Sequence, residues 1–179
     1  MGEAFRTLEK TFILELCHPT TDCHVPVTKD LKRSPKLLWL DCGLVNYAAN
    51  VQKEVFGAAD ISDVWRGKIA EQIVAQELLA LDSRVSNQRN FWVRSKSDSD
   101  AEVDFILQKD SKVIPIEVKS GHHAKLKSLH LFMDEAPHDI AVRVWSQPFS
   151  IDKVTTPKGK NINLINLPFY YVGILEDFL

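Results

Sequence analysis

The chain is predicted to fold as an α/β domain on a mixed central sheet flanked by helices. Three features carry that prediction. Residues 60–81 hold an amphipathic helical pattern, residues 101–120 hold two apolar strands split by a polar turn, and a second helical pattern at 124–135 leads into an apolar strand at 140–145. Helices and strands interleaved in this order call for a sheet covered by helices, not for a bundle or a sandwich.

Length and composition set the frame for these elements. At 179 residues the chain is sized for one domain with a short appendage, and it needs neither disulfides nor a structural metal to hold a core. Twenty-two Lys and Arg against 24 Asp and Glu leave a formal charge of -2, so no global basic field advertises nucleic acid. Any such contact must be local. No apolar run approaches a membrane span, and Met1-Gly2-Glu3-Ala4-Phe5-Arg6 lacks the basic-then-apolar order of a signal peptide. A cytoplasmic protein with no membrane partner is the expectation. Cys17, Cys23 and Cys42 are an odd number, which favours reduced thiols over a disulfide framework.

Taken in order, Phe5 to Leu16 reads as a helix end running into a strand, and Cys17-His18-Pro19-Thr20-Thr21-Asp22 as a turn or loop. Leu37-Leu38-Trp39-Leu40 is a short apolar strand ended by Asp41-Cys42-Gly43. In the helix at 60–81, Ser62 serves as a cap, and Ile69, Ala70, Ile73, Val74 and Leu78 make one core-facing stripe. Val85 to Ser95 looks extended, and the Ser/Asp-rich stretch 95–100 is a polar loop.

In 101–108 strict alternation puts Val103, Phe105 and Leu107 on one face and Glu102, Asp104 and Ile106 on the other. In 113–120 the faces are Ile114, Ile116, Val118 and Pro115, Glu117, Lys119. A hairpin turn centred on Asp110 and Ser111 then sets Asp104 opposite Glu117. The helix at 124–135 carries Leu126, Leu129, Phe132 and Met133 and stops at Pro137; Ile140 to Trp145 is a strand; and Ile162 to Val172 is a last strand leading to a short terminal helix.

Glu71, Asp104, Glu117 and Lys119 are the residues with chemistry to offer. Glu117 and Lys119 share a strand face, and the hairpin register brings Asp104 beside them. Two carboxylates so placed make an oxygen-rich pocket suited to Mg²⁺, and a neighbouring ammonium can orient an attacking water or stabilise charge on a phosphate. An Asp and a Glu-x-Lys on adjacent strands also occur as the solvated, salt-bridged face of a hairpin, and Glu71 can be satisfied by an ion pair with Lys68 or Lys119.

Asp104, 12 intervening residues and Glu117-Val118-Lys119 resemble the signature of the PD-(D/E)XK nuclease superfamily. Three stretches, Lys36–Leu44, Gly67–Leu78 and Ala101–Phe105, with the tail Leu167–Val172, are similar to the C-terminal domain of prokaryotic AAA+-type ATPases. The resemblance implies a restriction-endonuclease-like fold, a mixed central sheet flanked by helices, over residues 36–179. It makes 1–35 the trailing part of a preceding winged-helix-like segment. Asp104 and Glu117 would be Mg²⁺ ligands with Glu71 completing the site, and Lys119 would act on the water or the developing charge. DNA is the implied substrate, and an N-terminal ATPase module of a parent chain the implied partner. One departure is Val103, where the superfamily commonly has proline.

ATP belongs only to that parent, because no G-x-x-x-x-G-K-[ST] occurs here. The resemblance is equally consistent with a non-catalytic nuclease-like module that binds nucleic acid or protein and regulates the attached ATPase. Among the remaining features, Cys17-His18, Cys23-His24 and Cys42 match no common zinc spacing. His122-His123 reads as an exposed helix entry or a phosphate contact, and Lys125, Lys127, His130, Arg94 and Lys96 as solvated faces or a basic rim. Trp39, Trp65, Trp92 and Trp145 fall in regular elements and are expected in the core.

Overall fold

The computed structural model describes residues 3–53, 67–81, 89–95, 101–119 and 126–179. Its elements run α1 (Glu3–Lys10), β1 (Leu14–Thr20), β2 (Lys36–Trp39), α2 (Cys42–Ala48), α3 (Lys68–Leu81), β3 (Asn90–Val93), β4 (Glu102–Lys109), β5 (Lys112–Lys119), α4 (Lys127–Glu135), β6 (Ile140–Trp145), β7 (Ser150–Thr155) and β8 (Asn161–Pro168), followed by a 3-10 segment (Phe169–Phe178). The strands form one mixed eight-stranded sheet in the order β2-β1-β3-β4-β5-β6-β8-β7. The expected α/β class with a mixed sheet flanked by helices is what the molecule shows.

Alternating strand residues divide the core between two faces. Ile114, Val142 and Ile165 pack with Ala70, Val74 and Leu78 of α3 and with Val172 and Leu175 of the 3-10 segment. Their neighbours Val113, Ala141 and Leu164 pack with Leu129, Phe132 and Met133 of α4. Trp92 is fully buried and meets Phe132 edge to face at 5.4 Å between ring centres. Trp39 and Trp145 are only half-buried, and Trp65 and Ser62 lie outside the described residues.

The β4–β5 hairpin has the predicted register. Lys109 pairs with Lys112 and Phe105 with Ile116, and the turn residues Asp110 and Ser111 have φ 47 and 62. Positive φ at both central residues is the turn geometry whose twist matches that of paired strands.

Strict alternation along β4 does not hold. Asn90 pairs with Ile106 and Trp92 with Val103, so β4 spends three steps where β3 spends two. The extra residue is a β-bulge at Asp104–Phe105. As a result Phe105 and Leu107 sit in the α3-side cluster while Val103 and Ile106 sit in the α4-side cluster. Periodicity has no term for a bulge, which depends on the partner strand.

Three further segments differ from expectation. Cys17 to Thr20 are strand, not loop: His18, Pro19 and Thr20 pair in parallel with Asn90, Phe91 and Trp92, and both Cys17 and Thr20 are fully buried. Burial between β2 and β3 outweighs the turn propensity of His-Pro-Thr-Thr. Residues 14–20, grouped by sequence with the segment before residue 36, thus belong to the central sheet. The stop signal after β2 also starts a helix, since Asp41 accepts a hydrogen bond from the Gly43 amide at 2.7 Å and caps α2. Strand β7, unpredicted, pairs along its length with β8. Among the described residues no helix is long and apolar enough to cross a membrane.

Candidate active site

Three elements deliver the predicted carboxylates. Glu71 lies in the first turn of α3, where a carboxylate suits the helix dipole. The turn ahead of it needs φ +97 at Gly67, whose carbonyl accepts the Glu71 amide at 2.9 Å. Asp104 stands in the bulge of β4, and its Oδ2 accepts a hydrogen bond from the Val118 amide at 2.8 Å, which ties it to the strand that carries Glu117. Extending the hairpin register by one step puts Asp104 opposite Glu117. Lys119, two residues on, sets its Nζ 2.6 Å from Glu117 Oε1.

Sequence reasoning gave no role to the residue at the centre. The Lys36 ammonium is 2.6 Å from Glu102 Oε1 and 3.6 Å from both Glu71 Oε2 and Asp104 Oδ1. Glu71 and Asp104 are therefore separated by no more than twice that distance at these oxygens. The same ammonium lies 4.8 Å from the centre of the Phe91 ring and 5.9 Å from that of Phe105, so its back is turned to aromatic faces.

Tertiary pairing alone places Lys36. Cys17 pairs with Lys36 in β1–β2, and Gln72 of α3 clasps the edge of β2, accepting from the Trp39 amide at 3.0 Å and donating to the Trp39 carbonyl at 2.5 Å. The only sequence cue is a lysine opening an apolar strand, which is too common to point anywhere. Sequence alternation places Glu102 on the Asp104 face of its strand but gives it no role.

The titrating groups respond to this crowding. Burial pushes the Glu117 carboxyl up to about 7, Asp104 adds to the shift, and Lys119 and Lys36 oppose it. Glu71 is raised by burial and then by Asp104, with Lys36 pulling the other way. Burial would lower Lys36, but Asp104, Glu71 and Glu102 together outweigh it and hold the ammonium above its ordinary value. Glu117 is 4% exposed, and its Oε2 is buried with no hydrogen-bond partner among the described residues.

Glu71, Asp104 and Glu102 thus gather around Lys36, and Asp104 links that group to Glu117 with its partner Lys119. Lys36 stands among three of the carboxylates, and as placed no three His, Cys, Asp or Glu side chains among the described residues are grouped to hold a metal ion. The same holds for the cysteine–histidine pairs: Cys17 and Cys23 are buried, and burial pushes both thiols up to about 12. His122, His123, Lys125 and Lys96 lie outside the described residues, while Arg94 accepts through its carbonyl a 3.3 Å hydrogen bond from Arg33 Nη1.

Searches of curated proteins and of solved structures return no match. A family model for a domain of unknown function, DUF4143, matches residues 66–170. That span begins just before α3 and runs past β8, so it includes Glu71, Asp104, Glu117 and Lys119 and leaves out Lys36. Matched over more than half its length, the chain belongs to the DUF4143 family of uncharacterised domains.

Proposed function

We propose that the domain is nuclease-like in fold and site, and that its carboxylates take a divalent cation for phosphodiester hydrolysis of DNA. The observation that carries the reading is an unbalanced charge cluster. Three carboxylates, Glu71, Glu102 and Asp104, surround Lys36, and a fourth, Glu117, pairs with Lys119; Asp104 and Glu117 are the largely buried ones, while Glu71 and Glu102 are 34% and 44% exposed. Burying surplus negative charge is costly unless protons or a cation offset it. Burial first and Asp104 second raise Glu71 and Glu117, and Glu117 Oε2 is buried with no hydrogen-bond partner among the described residues, so an added cation would favour both carboxylates.

The donor set fits Mg²⁺, a hard cation held by one or two carboxylates. Asp104 and Glu117 would hold it, with Glu71 at the margin. When bound, it polarises a phosphate oxygen and makes a bound water more acidic. The residues of this chain do the remainder. Asp104 is pinned by the Val118 amide and so presents Oδ1 in a fixed direction. Lys119, hydrogen-bonded to Glu117, can hold a water or offset charge on the phosphate. Lys36 must yield its place among the carboxylates, or shift toward Glu102, for the site to fill.

The second reading rests on Lys36. An ammonium between three carboxylates is itself a counter-cation, and it suits a non-catalytic module that binds nucleic acid or protein and regulates an ATPase joined to it in a longer chain. Incubating supercoiled plasmid and single-stranded oligonucleotides with the protein in Mg²⁺ or Mn²⁺ separates the two. Nicking or shortening that disappears in Asp104→Ala supports hydrolysis. Intact substrate with wild type, in both metals, leaves the regulatory module.

A further inference from the structure

The carboxyl ends of the parallel strands β5, β6 and β8 lie side by side, and in open α/β sheets such ends are where ligands bind. Glu117 is level with Arg143 and Lys119 with Trp145 across β5–β6, and Arg143 is level with Asn166 and Trp145 with Pro168 across β6–β8. A row of polar side chains therefore continues from the carboxylate cluster along the sheet.

Arg143 is held there as a guanidinium in waiting. Its Nε donates to Asn166 Oδ1 at 2.7 Å, and its guanidinium carbon Cζ lies 3.8 Å from the centre of the Trp145 ring. Asn166 is fully buried, and its Nδ2 donates to Ser150 Oγ at 2.9 Å and Asp152 Oδ2 at 2.7 Å, so the clamp behind Arg143 is itself fixed from β7. This arrangement uses the Nε edge only. The two terminal nitrogens, which form the fork that recognises phosphate, have no hydrogen-bond partner among the described residues, and Asp152 acts on the guanidinium only through its charge. The Trp145 indole Nε1 is buried and likewise has no hydrogen-bond partner among the described residues. A clamp that spends a buried asparagine on orienting an arginine, yet leaves its strongest donors unused, is built for an anion.

We infer that Arg143, oriented by Asn166 and Trp145, binds a backbone phosphate of a nucleic-acid strand laid across the ends of β5 and β6, next to the carboxylate cluster. The inference rests on the nuclease-like reading for the identity of the anion, but not on cleavage. It also shows how a chain of net charge -2 can meet nucleic acid, with one oriented guanidinium in place of a broad basic face.

The test is fluorescence anisotropy of labelled single- and double-stranded oligonucleotides in Ca²⁺ across a salt series, with wild type, Arg143→Ala, Arg143→Lys and Asp104→Asn. Thermal unfolding of each variant checks the fold. Arg143→Ala should weaken binding roughly tenfold and flatten the dependence of log K on log salt by about 0.9, the share of one phosphate contact. Arg143→Lys should keep the slope while losing part of the affinity, since it retains charge but not the fork. Wild type that binds no oligonucleotide, or a folded Arg143→Ala with unchanged affinity and slope, overturns the inference. Binding that depends on Arg143 without cleavage in Mg²⁺ sinks hydrolysis alone. Cleavage lost in Asp104→Asn but at unchanged KM in Arg143→Ala sinks the inference alone.

Discussion

At the scale of single residues, Glu117 and Lys36 make opposite demands on the fold. The folded-state Glu117 carboxyl, pushed up to about 7 from an ordinary 4.5, binds its proton more tightly than it does in the unfolded chain. Its contribution to stability is therefore present below pH 4.5 and is lost as pH rises toward 7, above which the carboxylate is ionised and costly. One pKa unit corresponds to about 1.4 kcal/mol, which puts this cost on the order of 3 kcal/mol at pH 8. Glu117→Gln should unfold at a higher temperature than wild type at pH 8 in the absence of divalent cations, with the gap closing by pH 5. A variant that is destabilised throughout would show that the carboxylate is not strained.

Lys36 works the other way. Lys36→Met removes an ammonium that lies within 4 Å of three carboxylates, at a cost of a few kcal/mol, because breaking a partly buried pair leaves its partners uncompensated. Mg²⁺ should restore more stability to Lys36→Met than it adds to wild type. Equal gains, read as melting shifts, would mean that the lysine and the cation do not share a place.

Between elements, the clasp of Gln72 on β2 decides where Lys36 stands. Gln72 is 5% exposed and satisfies both the amide and the carbonyl of Trp39 on the sheet's edge strand. Truncating it strands both groups, a loss of about 1 to 3 kcal/mol. Gln72→Ala should speed hydrogen exchange at the Trp39 amide while leaving amides of β5 protected; uniform acceleration would show that the clasp is not local.

The elements also show what could be read beforehand. The β4–β5 hairpin was legible because apolar alternation and the Asp110–Ser111 turn are local signals. The bulge at Asp104–Phe105 was not, since it exists only in the mismatch with β3. Nor was β7, whose strand residues are mostly exposed and show no apolar stripe. Asp104, Glu117 and Lys119 were singled out through their strand spacing and Glu71 through the family resemblance. Lys36 and Glu102 were not, because the contacts that make them matter cross from β2 to α3 and β4.

For the whole molecule, the sheet's connectivity is what turns scattered charges into a site. β2 and β1 attach at one edge through β3, so a lysine from residue 36 reaches carboxylates from residues 71, 102 and 104. On the other side β5, β6 and β8 run parallel and bring Glu117, Arg143 and Asn166 level. The central claim is that the cluster at the junction of these two halves is short of positive charge and takes a divalent cation between Asp104 and Glu117. The most direct measurement is Mn²⁺ binding followed by electron paramagnetic resonance at pH 7.5, on wild type and on a folded Asp104→Asn. The account predicts one bound Mn²⁺ per wild-type chain, displaced by Mg²⁺, and none in the variant. Mn²⁺ that stays free in the wild-type sample, or binds the variant equally well, would contradict it.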